Sequence, residues 1–133
     1  APIGDSAEPN HPGFNINADV AACEIAMAIK AQKILFLTDT IGVLDKDKNL
    51  IESLDKETVE AYKNDGTIAG GMIPKVDSCI EAVHNGVNKA HIIDGRVEHS
   101  ILLELFTSEG IGTQFIRKDN PNNGIDLEKL LNE

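Results

Sequence analysis

Short apolar runs that alternate with helical stripes constrain this chain more than any other feature. Lys33-Ile34-Leu35-Phe36-Leu37-Thr38 and the run from Lys89 to Ile93 have the character of strands buried inside a parallel sheet. Between them, Gly70 to Asn85 places Met72, Val76, Cys79, Ile80 and Val83 at helical spacing. Pro74 falls in the first turn, where its missing N–H costs little, and Gly86 falls just past the end. The alternation continues on both sides. Ala18 to Lys30 reads as an Ala-rich helix, apolar on most sides and therefore enclosed between other elements. Leu50 to Leu54 reads as a short strand, and Asp55 as the N-cap of a helix through about Lys63 that Asn64-Asp65-Gly66 stops. Ser100 to Phe106 is a short helix and Thr113 to Ile116 a last strand. Ala1-Pro2-Ile3-Gly4 looks like the end of a strand whose start is missing, and Asp126 to Leu131 forms a terminal helix in a polar tail. The expected class is α/β, with a mainly parallel sheet.

The totals narrow the function. A chain of 133 residues with 41% hydrophobic residues suits one domain with a real core. A net charge of −10 argues against nucleic acid as a partner, since such binding needs a positive field. No run approaches the roughly 20 apolar residues of a membrane span, and the first residues show no basic segment followed by an apolar run, so no secretory signal is expected. The expected compartment is the cytoplasm. Cys23 and Cys79 lie inside helical patterns and read as buried thiols. Neither they nor His11, His84, His91 and His99 show metal-ligand spacing.

Four segments hold residues that could carry chemistry. In Gly13-Phe14-Asn15-Ile16-Asn17-Ala18-Asp19, alternation puts Asn15, Asn17 and Asp19 on one side of an extended lead-in to a helix. Capping by Asn17 accounts equally for one of the three. Leu37 to Leu44 follows a buried strand, so Asp39 and Gly42 stand where open α/β sheets bind ligands, although an Asp/Gly turn fits as well. Gly66-Thr67-Ile68-Ala69-Gly70-Gly71-Met72-Ile73-Pro74-Lys75 runs glycine-rich backbone into a helix start with a lysine close behind. That arrangement suits phosphate, and its spacing is not that of a Walker A loop. A solvated lysine is the plain alternative. Asp94-Gly95-Arg96-Val97-Glu98-His99, with Glu104 and Gly110-Ile111-Gly112-Thr113, gathers charges and glycines around a short helix, as a solvated loop also would.

Taken together, these segments resemble the N-acetylglutamate kinases, members of the amino-acid kinase family. The resemblance is carried by Asn15-Ile16-Asn17-Ala18-Asp19, Leu37-Thr38-Asp39 with Gly42-Val43-Leu44, Gly70-Gly71-Met72-Ile73-Pro74-Lys75 and Ile92-Ile93-Asp94-Gly95-Arg96. It implies the carboxyl-terminal, nucleotide-binding part of a three-layer α/β/α sandwich, with residues 1–117 as that domain and 118–133 as a tail. It implies phosphorylation of the side-chain carboxylate of N-acetyl-L-glutamate by ATP with Mg²⁺, in arginine biosynthesis. By the same resemblance Lys75 is catalytic, stabilising the phosphoryl group, and Asp19 is the catalytic carboxylate that orients lysines. Asn15 and Asn17 bind substrate. Asp39, Thr40, Ile41, Gly42, Val43, Leu44, Thr67, Ile68, Ala69 and Met72 line the nucleotide, and no protein side chain ligates the metal. His99, Glu104, Gly110 and Gly112 resemble the version found in members inhibited by L-arginine. Family members are about twice as long and homo-oligomeric. Their amino-terminal half carries a second catalytic lysine, a glycine pair and an arginine, so this chain alone is expected to be inactive.

Overall fold

A computed structural model of the chain describes residues 3–5, 7, 9, 14–107 and 110–119. Strands β1 (Ile3–Gly4) and β2 (Phe14–Asn15) pair antiparallel in a small ladder. Helix α1 (Ala18–Ala28) starts where the Asn17 side chain accepts the N–H groups of Asp19 and Val20. It ends two residues earlier than its apolar pattern suggests, because Lys30 takes a left-handed conformation (φ 54°) that turns the chain into β3 (Lys33–Thr38). β4 (Ser53–Leu54) leads to α2 (Lys56–Asn64), whose start is fixed by a reciprocal capping box between Asp55 and Thr58. Then follow α3 (Met72–His84), β5 (Lys89–Asp94), α4 (Ser100–Phe106) and β6 (Gly112–Phe115). The expected helix at Asp126–Leu131 lies outside the described residues.

The main sheet has the order β3-β5-β6-β4. β3 and β5 run parallel from Lys33↔Lys89 to Thr38↔Asp94, and β4 and β6 are also parallel. β5 and β6 are antiparallel, with Ile93 opposite Gly112 and Ala90 opposite Phe115. The sheet is therefore mostly, not wholly, parallel. The expected strand at Leu50–Leu54 is corrected to Ser53–Leu54, because Leu50 instead bridges back to Leu44 and closes a loop.

Alternation along the strands separates two faces. Ile34, Phe36, Ala90 and Ile92 join Cys23, Ala26, Val76, Cys79, Ala82 and Val83 of α1 and α3 in the core. A side chain the size of Ile92, fully buried here, contributes about 1.5–3 kcal/mol by leaving water. His91 points to the other face, where α4 lies over it through Glu104. Helices thus lie on both faces of the sheet. α1 is not enclosed all round: Val20, Ile25 and Ile29 are exposed on the side away from α3. No helix among the described residues is long and apolar enough to cross a membrane.

Topology positions the site. α1 feeds β3 and α3 feeds β5 through short turns, so both helices run back along the strands they precede. Their amino termini therefore stand over the carboxyl ends of β3 and β5, the edge at which sheets of this kind receive ligands. Antiparallel pairing of β5 and β6 depends on a residue without a side chain at Gly112. A Cβ there would press on the Ile92 carbonyl and would lie 3.0 Å from Ile93 Cγ2. Gly112→Ala is expected to destabilise the fold by at least ~1–3 kcal/mol, read as a lower urea midpoint.

Candidate functional site

The centre of the candidate site is a contact between two helices. Lys75 Nζ donates to both carboxylate oxygens of Asp19, at 3.3 Å to Oδ1 and 3.1 Å to Oδ2. Both side chains are part-buried. The packing below them explains the contact. Cys23 lies one turn on from Asp19, and Cys79 one turn on from Lys75, so each shares its charged neighbour's helix face. Both thiols are buried, and Cys23 Sγ donates to the Ser78 carbonyl at 3.3 Å. With Ala22, Ala26 and Ala82 also small, the helices approach closely and hold the ion pair at their mouth. Burial pushes both thiols up, Cys79 strongly, so they stand as uncharged packing groups.

Lys75 is the fourth residue of α3, behind a helix start whose Met72 and Ile73 N–H groups donate to the Ala69 and Gly70 carbonyls and not to a capping side chain. Gly71 offers no side-chain cap, and the first turn holds no acid. Gly66 (φ 80°) and Gly70 (φ 58°) use left-handed conformations to bring the chain into that start. Of the residues expected to line a nucleotide, Thr67, Ala69 and Met72 flank this entry. Ile68 is buried in the core, leaving only its backbone for a ligand.

Thr38 to Leu44 is held from beneath. The Thr40 N–H donates to Thr38 Oγ1, and Thr40 Oγ1 donates to the Gly42 carbonyl. Thr113 Oγ1 accepts the Val43 N–H at 2.8 Å and donates to the Ile51 carbonyl at 2.7 Å. Gly42 is explained by this clamp, since a Cβ would lie 2.7 Å from Thr113 Oγ1. Val43 is in the core, whereas Asp39 and Ile41 are exposed at the rim. Asp39 does not touch Lys75 in this structure; its charge acts instead on Arg96. Asn17 serves as the α1 cap, its carbonyl oxygen taken by backbone N–H groups. Asn15 lies on β2 opposite Ile3.

The α4 segment is organised around Glu104. Its Oε1 accepts His91 Nδ1 at 2.6 Å and lies 3.8 Å from Lys33 Nζ, and its Oε2 accepts the Ile111 N–H at 3.0 Å. Burial pushes the Glu104 carboxyl up, but His91, the Ile111 N–H and Lys33 together leave it below its ordinary value. His91 and Lys33 were not apparent as its partners. The available signal was a polar residue inside each of two apolar runs. His99 is exposed and left-handed (φ 59°), and Gly110 lies 3.8 Å, by its missing Cβ, from Glu104 Oε2. Among the described residues no cluster of three or more His, Cys, Asp or Glu could hold a metal ion.

The profile of the amino acid kinase family matches residues 3–94. The chain belongs to the amino acid kinase family. It is 82% identical over all its 133 residues to an acetylglutamate kinase of Aliarcobacter butzleri, and spans 44% of that relative's length. Among solved structures it resembles the N-acetylglutamate synthase of Neisseria gonorrhoeae complexed with coenzyme A and N-acetyl-glutamate. That likeness has a TM-score of 0.80 and 28% identity, over 90% of this chain and 27% of the synthase. The same synthase complexed with coenzyme A and L-arginine matches with a TM-score of 0.74 and 29% identity, over 81% of this chain and 25% of the other.

Two ion pairs predict how this amino acid kinase domain responds to acid. Arg96 holds Asp94 at a pKa of about 2 through side-chain hydrogen bonds, and Glu104 is also lowered. A carboxylate lowered on folding adds stability above its unfolded pKa and loses it as pH falls through its folded value. The urea midpoint is therefore expected to fall between pH ~4 and pH ~2. Asp94→Asn should flatten part of that slope.

Proposed function

We propose that this chain is the nucleotide-binding part of an acetylglutamate kinase, transferring the terminal phosphoryl group of ATP to the side-chain carboxylate of N-acetyl-L-glutamate. The observation that carries the proposal is the Lys75–Asp19 pair at the mouth of α1 and α3. The 82% identity to a protein of that name supports the choice of substrate. Residues 1–117 are the unit assigned to this role, and 118–133 the tail.

The residue types suit the reaction. A glutamate side chain is ionised at neutral pH, with a reference pKa near 4.3, so the nucleophile needs no general base. The reaction needs cations and N–H donors around a phosphoryl group whose charge is dispersed in the transition state. Lys75 supplies an ammonium group, and the glycine-rich start of α3 supplies the positive end of a helix dipole and, at Gly70 and Gly71, backbone without side chains to obstruct a phosphate. Asp19 holds the ammonium in place while the site is empty and orients it toward phosphate when nucleotide arrives. Mg²⁺ enters with ATP as part of the substrate. Asp39 to Leu44, Thr67 to Ala69 and Met72 are assigned to the nucleotide, Val43 and Ile68 through backbone alone. Asn15 and Asn17 are assigned to the acylated amino acid. L-Arginine is assigned to the segment of His99, Glu104, Gly110 and Gly112 as an inhibitor. The likeness to a synthase solved with L-arginine supports that assignment. Calorimetry with L-arginine tests it: heat of binding in the full-length enzyme that Glu104→Gln abolishes supports it, and no heat rejects it.

Two outcomes are expected. In the full-length enzyme, Lys75→Ala should lower kcat by on the order of 10³-fold with a much smaller change in the KM for ATP, because the lost contact strengthens in the transition state. A raised KM with kcat unchanged would mean that Lys75 only binds. The 133-residue chain by itself should bind Mg-ATP yet form no acetylglutamyl phosphate, a hydroxamate assay giving the readout. Normal turnover would show that the opposing cation is not required.

A further inference from the structure

The Asp94-Gly95-Arg96 turn has a geometry that the roles above do not use. Gly95 N–H donates to the Thr38 carbonyl at 2.8 Å, and a Cβ on Gly95 would lie 3.1 Å from Leu37 Cβ. The turn after β5 therefore folds over the carboxyl end of β3, the strand from which Asp39 issues. Asp94 is buried, and it grips Arg96 three ways. Its Oδ1 accepts the Arg96 backbone N–H and Nε–H, each at 2.9 Å, and its Oδ2 accepts Nη2–H at 2.8 Å. A guanidinium held along its Nε–Nη2 edge leaves its Nη1 N–H groups directed away from the brace. The Arg96 side chain is 64% exposed, so those donors face solvent at the ligand edge of the sheet.

A solvated surface arginine needs no such brace. The bidentate grip removes the rotamer freedom that makes a free arginine a poor binder, so less is lost when a ligand arrives. The site also lacks positive charge. The chain carries a net −10, and Lys75 is already paired with Asp19. A polyphosphate held here needs directed N–H donors beyond those of one helix start. The planar fork of a guanidinium matches a phosphate better than it matches a ribose or a base edge.

We propose that Arg96 is a ligand-binding residue of the nucleotide site, its guanidinium donating to a phosphate oxygen of the bound nucleoside triphosphate, with Asp94 as the residue that positions it. This rests on the nucleotide reading of the site and names the part of the ligand that Arg96 holds. Asp94 offsets part of the arginine's charge, so the contact acts through direction at short range and discriminates by phosphate content.

Calorimetric titration of the 133-residue chain with Mg-ATP and with adenosine tests the proposal. Arg96→Ala is expected to raise the Kd for Mg-ATP by about 10-fold or more, as loss of hydrogen bonds to a charged group does, and to leave adenosine within about twofold. Arg96→Lys should restore only part of the loss, because an ammonium cannot be braced along two atoms by Asp94. Arg96→Ala takes the partner from buried Asp94 and is expected to melt at a lower temperature than Arg96→Lys, so the titrations are run well below both melts, where circular dichroism verifies that each variant is folded. Unchanged Mg-ATP affinity in Arg96→Ala overturns the proposal, as does equal weakening of ATP and adenosine. A wild-type chain that binds neither ligand instead overturns the nucleotide reading itself.

Discussion

Close packing of α1 against α3 is the constraint on which the site depends. Two helices separated by two strands and a further helix meet through small residues, Ala22, Cys23, Ala26, Cys79 and Ala82, most of them buried. Such residues let helix axes approach, and the same register that seats Cys23 near Cys79 carries Asp19 to Lys75 one turn higher. Larger side chains would push the helices apart, since overpacking a filled interior forces backbone shifts. The ion pair is thus set by the interior and not by attraction between exposed charges, which at a surface contributes at most about 1 kcal/mol.

The sheet supplies the second fixed point. β3 and β5 end together at Thr38 and Asp94, and each continues into a short turn with an acid, Asp39 on one and Asp94 on the other. Thr113, reaching across from β6, ties the Val43 backbone and the Ile51 carbonyl with a single hydroxyl. The loop carrying Asp39 is therefore anchored to the strand that Gly112 begins. Helix starts above and anchored turns below bring the paired Lys75 ammonium and the braced Arg96 guanidinium to the same carboxyl edge of the sheet. On the opposite face, Glu104 joins α4, β5 and the Ile111 backbone, so the segment assigned to arginine is coupled to the same strand that ends at Asp94.

Much of this was legible in the sequence, for physical reasons that differ by element. β3, β5 and α3 were plain because a short apolar run or a helical stripe has only one efficient way to bury itself. Asp55 announced α2 because a cap is a local interaction. The antiparallel setting of β6 was not legible, since it depends on the path of the chain after α4. The shortening of β4 followed from the bridge of Leu50 to Leu44, a contact that no periodicity encodes. In the site, Lys75 and Asp19 were each singled out by their place at a helix start. Their direct contact, across a separation of 56 residues, is a property of the packing. The burial of the Val43 and Ile68 side chains in the core was not legible, because a loop that borders a ligand site must also close over the interior.

The central claim is that nucleotide phosphate meets the glycine-rich start of α3 beside Lys75. The most direct measurement is a backbone-amide NMR titration of the ¹⁵N-labelled chain with Mg-AMP-PNP. The account predicts shifts concentrated from Ala69 to Lys75 and from Asp39 to Gly42. Shifts confined to the opposite edge of the sheet, around Asp55 and Ile116, with Met72, Ile73 and Lys75 unmoved, would contradict it.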